Sequence, residues 1–275
     1  MQISIFHDEI NPDDPARALH LAAAWGVSHV EVRSLPGGRF PRSSDAELET
    51  FYKQICDAGL AVSGVSPGFC KCPLDDPSVI RDLAEGLPRA CEWAHRFGTN
   101  QVSSFAFRKG ASEHMPQGIV DRVAEMAAIT ARHDCRLVLE NEAGCWGGTG
   151  IEAAAIIRQI GPEHLGLCWD PGNAVRAGSP APYPDEYGQI NDLVAHVHMK
   201  NWDPQEKNWQ LIERGLVDWP DLLRTLQTSG FSGFAVVETH LKNLPDGLEP
   251  ATGLNGQEAS TYRNLEFVRS CLEPA

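Results

Sequence analysis

Apolar residues in this chain fall into short runs that end in a polar or Gly/Pro-rich break. Longer stretches with an apolar position every three or four residues separate these runs. The short runs have the length of buried strands, and the longer ones have helical spacing. The predicted strands are Ile3–Phe6, Val30–Val32, Leu60–Val65, Asn100–Phe107, Arg136–Glu140, Leu165–Trp169, Leu193–His198 and Gly233–Glu238. The predicted helices cover 12–25, 44–58, 77–97, 116–133, a segment ending near Ile160, a short piece near 187–193, 219–229 and 257–271. Gly26, Gly59 and Gly98 follow the first three as helix stops. Ser44 with Glu47 three residues on is a capping-box pattern. Strict alternation of strand and helix predicts a parallel sheet with the helices outside. Eight such units within 275 residues predict a closed (β/α)8 TIM barrel, one α/β domain over residues 1–275. A doubly wound open sheet is the alternative, and no GxGxxG opens a strand–helix turn to favour it. The polar stretch Asn201–Val217 is too short for a domain and is expected to be a lid.

Four of the strands end on a metal-ligating type of residue. Glu140 closes Leu137-Val138-Leu139, Asp170 follows Cys168-Trp169, His198 follows Val197, and Glu238 follows Val236-Val237. A charge at the end of a buried strand is costly unless a partner or a metal compensates it. Each taken singly has an ordinary explanation, such as a cap for the next turn before Pro171-Gly172 or a pairing with an arginine. A parallel barrel, however, gathers the carboxyl ends of all its strands at one face. Glu140, Asp170, His198 and Glu238 are therefore expected to converge into a divalent-metal site. Oxygen-rich coordination with one imidazole suits manganese foremost, then magnesium or cobalt, with zinc also compatible. His196, His198 and Lys200 stand two residues apart, so an extended strand turns all three to one face. His198, nearer the carboxyl end, is the expected ligand, and His196 is equally suited to being a deep, hydrogen-bonded core residue. Glu140 and Glu238 are also expected to be the catalytic proton carriers. A metal holding a carbonyl and its neighbouring hydroxyl acidifies the intervening C–H, and a glutamate moves the proton through a metal-bound enediolate.

Composition narrows the partners. The formal net charge is −14, with a sequence pI near 5.1, which gives no support for a nucleic-acid partner. No run approaches the roughly 18 apolar residues of a membrane span, and the Met1 end lacks a secretory pattern. The eight cysteines are scattered without a CxxC pair. Reduced thiols and a cytoplasmic location are the expectation.

Together the stretches LVLENE, CWDPGN, HVHMKN and AVVETH resemble the sugar phosphate isomerase/epimerase superfamily with its xylose-isomerase-like TIM barrel. The resemblance runs in order over nearly the whole chain. It implies metal ligands at Glu140, Asp170, His198 and Glu238, with Glu140 and Glu238 as the acid/base pair. It implies an isomerase or epimerase acting on a ketose, keto-acid or polyol. The alternative is a metal-dependent lyase that dehydrates a keto-cyclitol or related sugar. An endonuclease IV-type phosphodiesterase and an inactive sugar-binding barrel rank lower. Asn173 and Glu142 stand where the family often has histidines, and Glu213-Arg214-Gly215 replaces a Gly-x-Gly before Asp218-Trp219. These departures leave the four-ligand metal site intact and bear on the substrate and on any second or third metal.

His7, Arg33, Glu142, Trp169, Asn173, Lys200 and His240 are the expected substrate-binding residues, with Glu142 or His240 as an additional acid. Phe69, Phe107 and Trp146 are candidates, with Trp169, for the wall against the sugar. Trp202 and Trp209 on the lid are placed either to cover the site or to meet another copy of the chain. The expected partners are thus a small sugar and, in a homo-oligomer, the chain itself.

Overall fold

The computed structural model describes residues 1–163 and 165–273. The β-branched and aliphatic runs form eight parallel strands: β1 Gln2–Phe6, β2 His29–Val32, β3 Ala61–Val65, β4 Gln101–Ser104, β5 Arg136–Glu140, β6 Leu165–Trp169, β7 Val194–Met199 and β8 Phe234–Val237. Each pairs with its neighbours in the chain, and β8 returns to β1 to close the barrel. The predicted (β/α)8 fold is therefore the observed one, in a single domain.

Alternation along each strand sorts the residues between two environments. On β7, Val197 and Met199 join the apolar layer under the helices, while His196 and His198 turn into the barrel. Helices Pro15–Ala24, Asp45–Asp57, Gln117–Arg132, Gly150–Ile160, Trp219–Thr228 and Gly256–Leu272 pack over the outer layer. Leu139, Leu167, Trp219 and Val237 are among its fully buried members. The inside of the barrel is polar instead. Ser4 and Ser63 hydroxyls meet at 2.7 Å, and Gln101 donates to His196 Nδ1 at 2.5 Å.

The structure differs from the pattern-based expectation at a few ends. The fourth strand stops at Ser104 rather than Phe107, because Phe107 takes a left-handed backbone (φ 63°) that no strand tolerates. The expected helix over 77–97 is a continuous helical run, Ser78–Arg81 and Leu87–Arg96, joined by a π-bulge at Asp82–Gly86. The Pro/Gly stretch after Asp170 begins with a helix, Pro171–Arg176. Pro171 at its first position has no N–H to lose, and the Asp170 carboxylate caps it by accepting from Asn173 N at 2.8 Å. Gly172 lets this helix press on β7, since a Cβ there would lie 2.7 Å from the Lys200 carbonyl. The expected lid carries a small antiparallel hairpin, Asn201–Asp203 with Asn208–Gln210. A second hairpin, Ser34–Leu35 with Gly38–Arg39, follows β2.

Candidate metal centre

The carboxyl ends of β5 to β8 bring Glu140, Asp170, His198 and Glu238 together. One ligand atom from each lies within 4.8 Å of all the others, and all four residues are buried. His198 Nδ1 stands 3.2 Å from a Glu140 oxygen and 3.7 Å from a Glu238 oxygen, with no hydrogen-bond partner in line. Orphaned buried atoms are rare in folded proteins and need a reason.

The reason lies one layer below. His198 Nε2 faces Glu31 Oε1 at 3.2 Å, and His196 Nε2 faces Glu31 Oε2 at 2.6 Å. Glu31 also accepts from Ser66 Oγ at 2.6 Å. Alternation along β2 turns this carboxylate into the barrel, between Val30 and Val32, which join the apolar layer. With its Nε2–H given to Glu31, His198 turns Nδ1 to the three carboxylates, the atom a cation would take once its proton leaves. A carboxylate behind a histidine is the usual support of a metal-binding imidazole. The donor set and the bare Nδ1 thus fit a divalent cation held by Glu140, Asp170, His198 and Glu238. Among the described residues, the two other clusters of this kind, Cys168 with His196 and His198, and Glu9 with Glu238 and His240, border the same centre.

Positive charges of the protein crowd the same carboxylates. Lys200 Nζ lies 2.8 Å from Asp170 and 2.9 Å from Glu238. Arg33 binds Asp8 at 2.8 Å, Glu9 at 2.5 Å and Glu238 at 2.8 Å. His240 bridges Glu9 and Glu238, each at 3.1 Å. The protonation preferences follow. Burial opposes charge on Glu238, but Lys200 and His240 outweigh it and hold the group well below the usual carboxylate range. Burial likewise opposes charge on Glu140, where His198 prevails and lowers it. Asp170 goes the other way: burial pushes it up to about 7, Lys200 opposes, and Glu238 and Glu140 reinforce the rise. Burial resists protonation of His240, but Glu238 lifts it to about 9. For His198 burial also resists, and Cys168, Glu140 and Glu31 together carry it well above the ordinary imidazole value.

The other expected site residues divide. His240 and Lys200 stand at the centre, but as ion-pair partners of its carboxylates rather than as free donors. Trp209 lies over both, 5.2 Å from the His240 ring and 5.0 Å from Lys200 Nζ, so the lid hairpin covers the centre. Trp202 packs on Trp209, and Arg176 lies against both rings. Glu142 is at the rim, paired with Lys71 at 2.9 Å. Asn173 supports the loop floor by donating to the Asn141 carbonyl at 3.0 Å. Two expectations need correcting. His7 is fully buried, with both ring nitrogens against backbone carbonyls, those of Glu31 and Ser34. Trp169, expected in the sugar wall, points outward, and its Nε1 donates to Glu186 at 3.0 Å. Cys168 and Asp170 face inward, so strand alternation sends residue 169 to the helices. Phe69 and Phe107 are buried in the apolar layer, and Trp146 is packed against it.

Glu31 and Arg39 escaped the sequence reading. Glu31 had a signal: one acid between Val30 and Val32 in a strand whose other face is apolar must point into the barrel. Arg39 sits in a Pro-Gly-Gly segment and gave none.

A family model described as xylose isomerase-like TIM barrel matches residues 19–271. A curated relative, the uncharacterised protein MJ1311 of Methanocaldococcus jannaschii, is 25% identical over 130 residues, 46% of this chain and 44% of that one. The matched part is thus under half of that relative's length. Among solved structures, D-psicose 3-epimerase from Clostridium cellulolyticum H10, determined with D-tagatose, superposes with a TM-score of 0.74 at 14% identity, covering 100% of each chain. The probable 3-DHS dehydratase AsbF from Bacillus anthracis gives 0.72 at 15% identity, covering 97% of this chain and 98% of that one. A xylose isomerase-like TIM barrel protein from Mycobacterium smegmatis in complex with magnesium gives 0.70 at 20%, covering 99% and 97%. At these identities the likeness is one of fold. Among the described residues no helix is long and apolar enough to cross a membrane.

Proposed function

We propose that this chain, which belongs to the xylose isomerase-like TIM barrel family, is a divalent-metal-dependent isomerase or epimerase of a ketose, keto-acid or polyol. The observation that carries the reading is the bare Nδ1 of His198, backed by Glu31 and aimed at three buried carboxylates. Glu140, Asp170, His198 and Glu238 would hold the ion, with manganese, magnesium or cobalt suited to this donor set. When bound, it would polarise a carbonyl and the hydroxyl beside it, and so acidify the C–H between them.

The protein's own groups then divide the proton work. Glu238 is in contact with Arg33, Lys200 and His240, whereas among the described residues Glu140 has only the His198 cation at contact distance. Fewer direct cationic contacts make Glu140 the better base, and we assign it the proton abstraction. Glu238, with His240 against it, is the side from which a proton returns. The lid tryptophan Trp209 limits water above the pair. That one neighbour is an epimerase and another was determined with magnesium agrees with this assignment.

A lyase is the second reading, favoured by His240. Lifted to about 9, it is protonated at neutral pH and lies 3.1 Å from Glu238, where it could give its proton to a departing hydroxide. A proton-transfer screen separates the two. The metal-loaded protein is incubated with ketoses, keto-acids and keto-cyclitols in deuterated water, and products are read by NMR. Deuterium at the carbon beside the carbonyl, lost after chelation and regained with manganese, is expected. An unsaturated product would select the lyase. No exchange with any of the metals would overturn both readings.

A further inference from the structure

Most cations near the centre are already committed. Arg33 serves three carboxylates, and Lys200 serves two. Arg39 is the exception. It projects from the hairpin after β2 and lies over the end of β3, where its Nε donates to the Ser66 carbonyl at 3.2 Å. Among the described residues no carboxylate pairs with it, and neither terminal nitrogen has an acceptor. Its seat depends on a bare backbone. A Cβ at Gly68 would come within 2.5 Å of Nε and 2.7 Å of Cζ, so glycine lets the guanidinium lie flat over that turn. The group is half-buried and close enough to feel Glu140, Asp8 and Glu238. Burial, then the charge of Arg33, pushes it down to about 10, and those carboxylates only partly offset the fall. It remains a cation at neutral pH with part of its charge unanswered.

Its place in the barrel gives the charge a direction. The metal-ligating residues come from β5 to β8, one half of the wall. In the closed order, β3 lies across the mouth from β7. We propose that Arg39 receives a carboxylate carried by the substrate at the end remote from the metal, so that the natural substrate is a sugar acid rather than a neutral ketose. The fork of a guanidinium matches a carboxylate with two parallel hydrogen bonds. A phosphate, with three oxygens and a second negative charge, would call for further donors, and Arg33 and Lys200 are occupied.

This inference rests on the sugar-binding reading of the site but not on turnover. Calorimetry on the manganese-saturated protein would compare D-threonate and D-gluconate with D-threitol and D-glucitol, pairs differing only in the terminal carboxylate. Binding of at least one acid about tenfold or more tighter than its alditol is expected, given the strength of hydrogen bonds to charged groups. Arg39→Gln should erase that preference while leaving metal content, melting temperature and alditol binding unchanged, and Arg39→Lys should keep part of it. No preference in the wild type, or a preference that survives Arg39→Gln, overturns the proposal. Tighter binding of an alditol phosphate than of the acid, lost in Arg39→Gln, overturns the carboxylate assignment. A protein that shows the pattern but turns over nothing would lose the isomerase reading and keep this one. A protein that isomerises neutral ketoses as well as their acids would do the reverse.

Discussion

Replacing Glu31 by glutamine tests whether Nδ1 of His198 is the metal-binding atom. The Glu31 carboxylate is buried and accepts from three donors. His198 Nε2 and Ser66 Oγ reach one oxygen, and His196 Nε2 reaches the other. Glutamine keeps the shape but exchanges one acceptor for an amide donor. If the amide nitrogen takes the His196 side, His196 must shift its proton to Nδ1, where Gln101 already donates at 2.5 Å. If it takes the other side, His198 must shift its proton to Nδ1, and the lone pair leaves the carboxylate cluster. The second choice directly removes a metal ligand, and the first leaves a buried donor without an acceptor. Loss of the group behind a metal-binding histidine typically costs about 10–100-fold in affinity, or about 1.4–2.8 kcal/mol. An unsatisfied buried group also costs about 1–3 kcal/mol of stability. Manganese affinity would be measured by competition with a chelator at neutral pH, with the melting temperature of the metal-free protein followed alongside. Gln101→Leu is the control: it disturbs His196 alone, so it should lower stability and leave manganese affinity unchanged. A folded Glu31→Gln protein that binds manganese within about threefold of wild type would refute the argument, since the factor expected is at least about tenfold.

Three further outcomes follow from the same contacts. Glu140→Gln and Glu238→Gln should each lose at least about 100-fold in turnover while binding substrate nearly as well; a variant that keeps its metal and near-normal turnover would reduce that glutamate to a ligand. Lys200→Met removes the ammonium that competes for Asp170 and Glu238. Manganese should then bind tighter while the metal-free protein melts earlier, because breaking a buried ion pair costs about 3–5 kcal/mol; an unchanged metal-free melt would count against the pairing. Glu258 anchors the last helix through Arg17 at 2.6 Å, Asn11 and the backbone of Asn255, contacts led by Arg17 that lower it to about 2. A lowered carboxylate stabilises the fold above its unfolded value, 4.5, and loses that contribution as pH falls toward about 2. Arg17 is half-exposed, so solvent screening reduces the contribution of this pair. Urea melts of Glu258→Gln should therefore lack the acid-induced loss that wild type shows over that window, and parallel curves would refute the assignment.

What the sequence disclosed, and what it concealed, has a physical pattern. Polar residues inserted at alternate positions of apolar strands mark the barrel interior, and the last inserted residue of β5 to β8 marks the metal face. His196, His198 and Lys200 were legible by this parity, and Trp169 would have been placed outward by it. Partner choice was not legible. Nothing local distinguishes Lys200 bound to a substrate from Lys200 bound to Asp170, because the partners come from strands about 30 and 40 residues away. The inward turn of Glu31 is readable from its place between Val30 and Val32, but its pairing with His196 and His198 on β7 is not. The hairpin carrying Arg39 is set by turn geometry at Gly37 and Gly38, which in sequence reads as an ordinary loop.

The charges at the mouth argue for a cation on their own. Asp8, Glu9, Glu140, Asp170 and Glu238 face Arg33, Lys200, His198 and His240, and Glu238 takes more of these contacts than any other carboxylate. Glu238 is thereby kept ionised, but Asp170, whose one cationic contact among the described residues is Lys200, is pushed up to about 7 by burial. A buried carboxylate that prefers a proton near neutrality shows positive charge in short supply at that point. His198 shows the same shortage in reverse, held protonated by its acidic surroundings although Glu31 already takes its Nε2–H. A proton on Asp170 and a proton on His198 Nδ1 would both stand where a divalent ion would place its charge. Metal binding at this centre would therefore be an exchange of cations, with protons leaving as the ion enters. The same buried layer that makes the carboxylates costly to charge makes the ion worth holding.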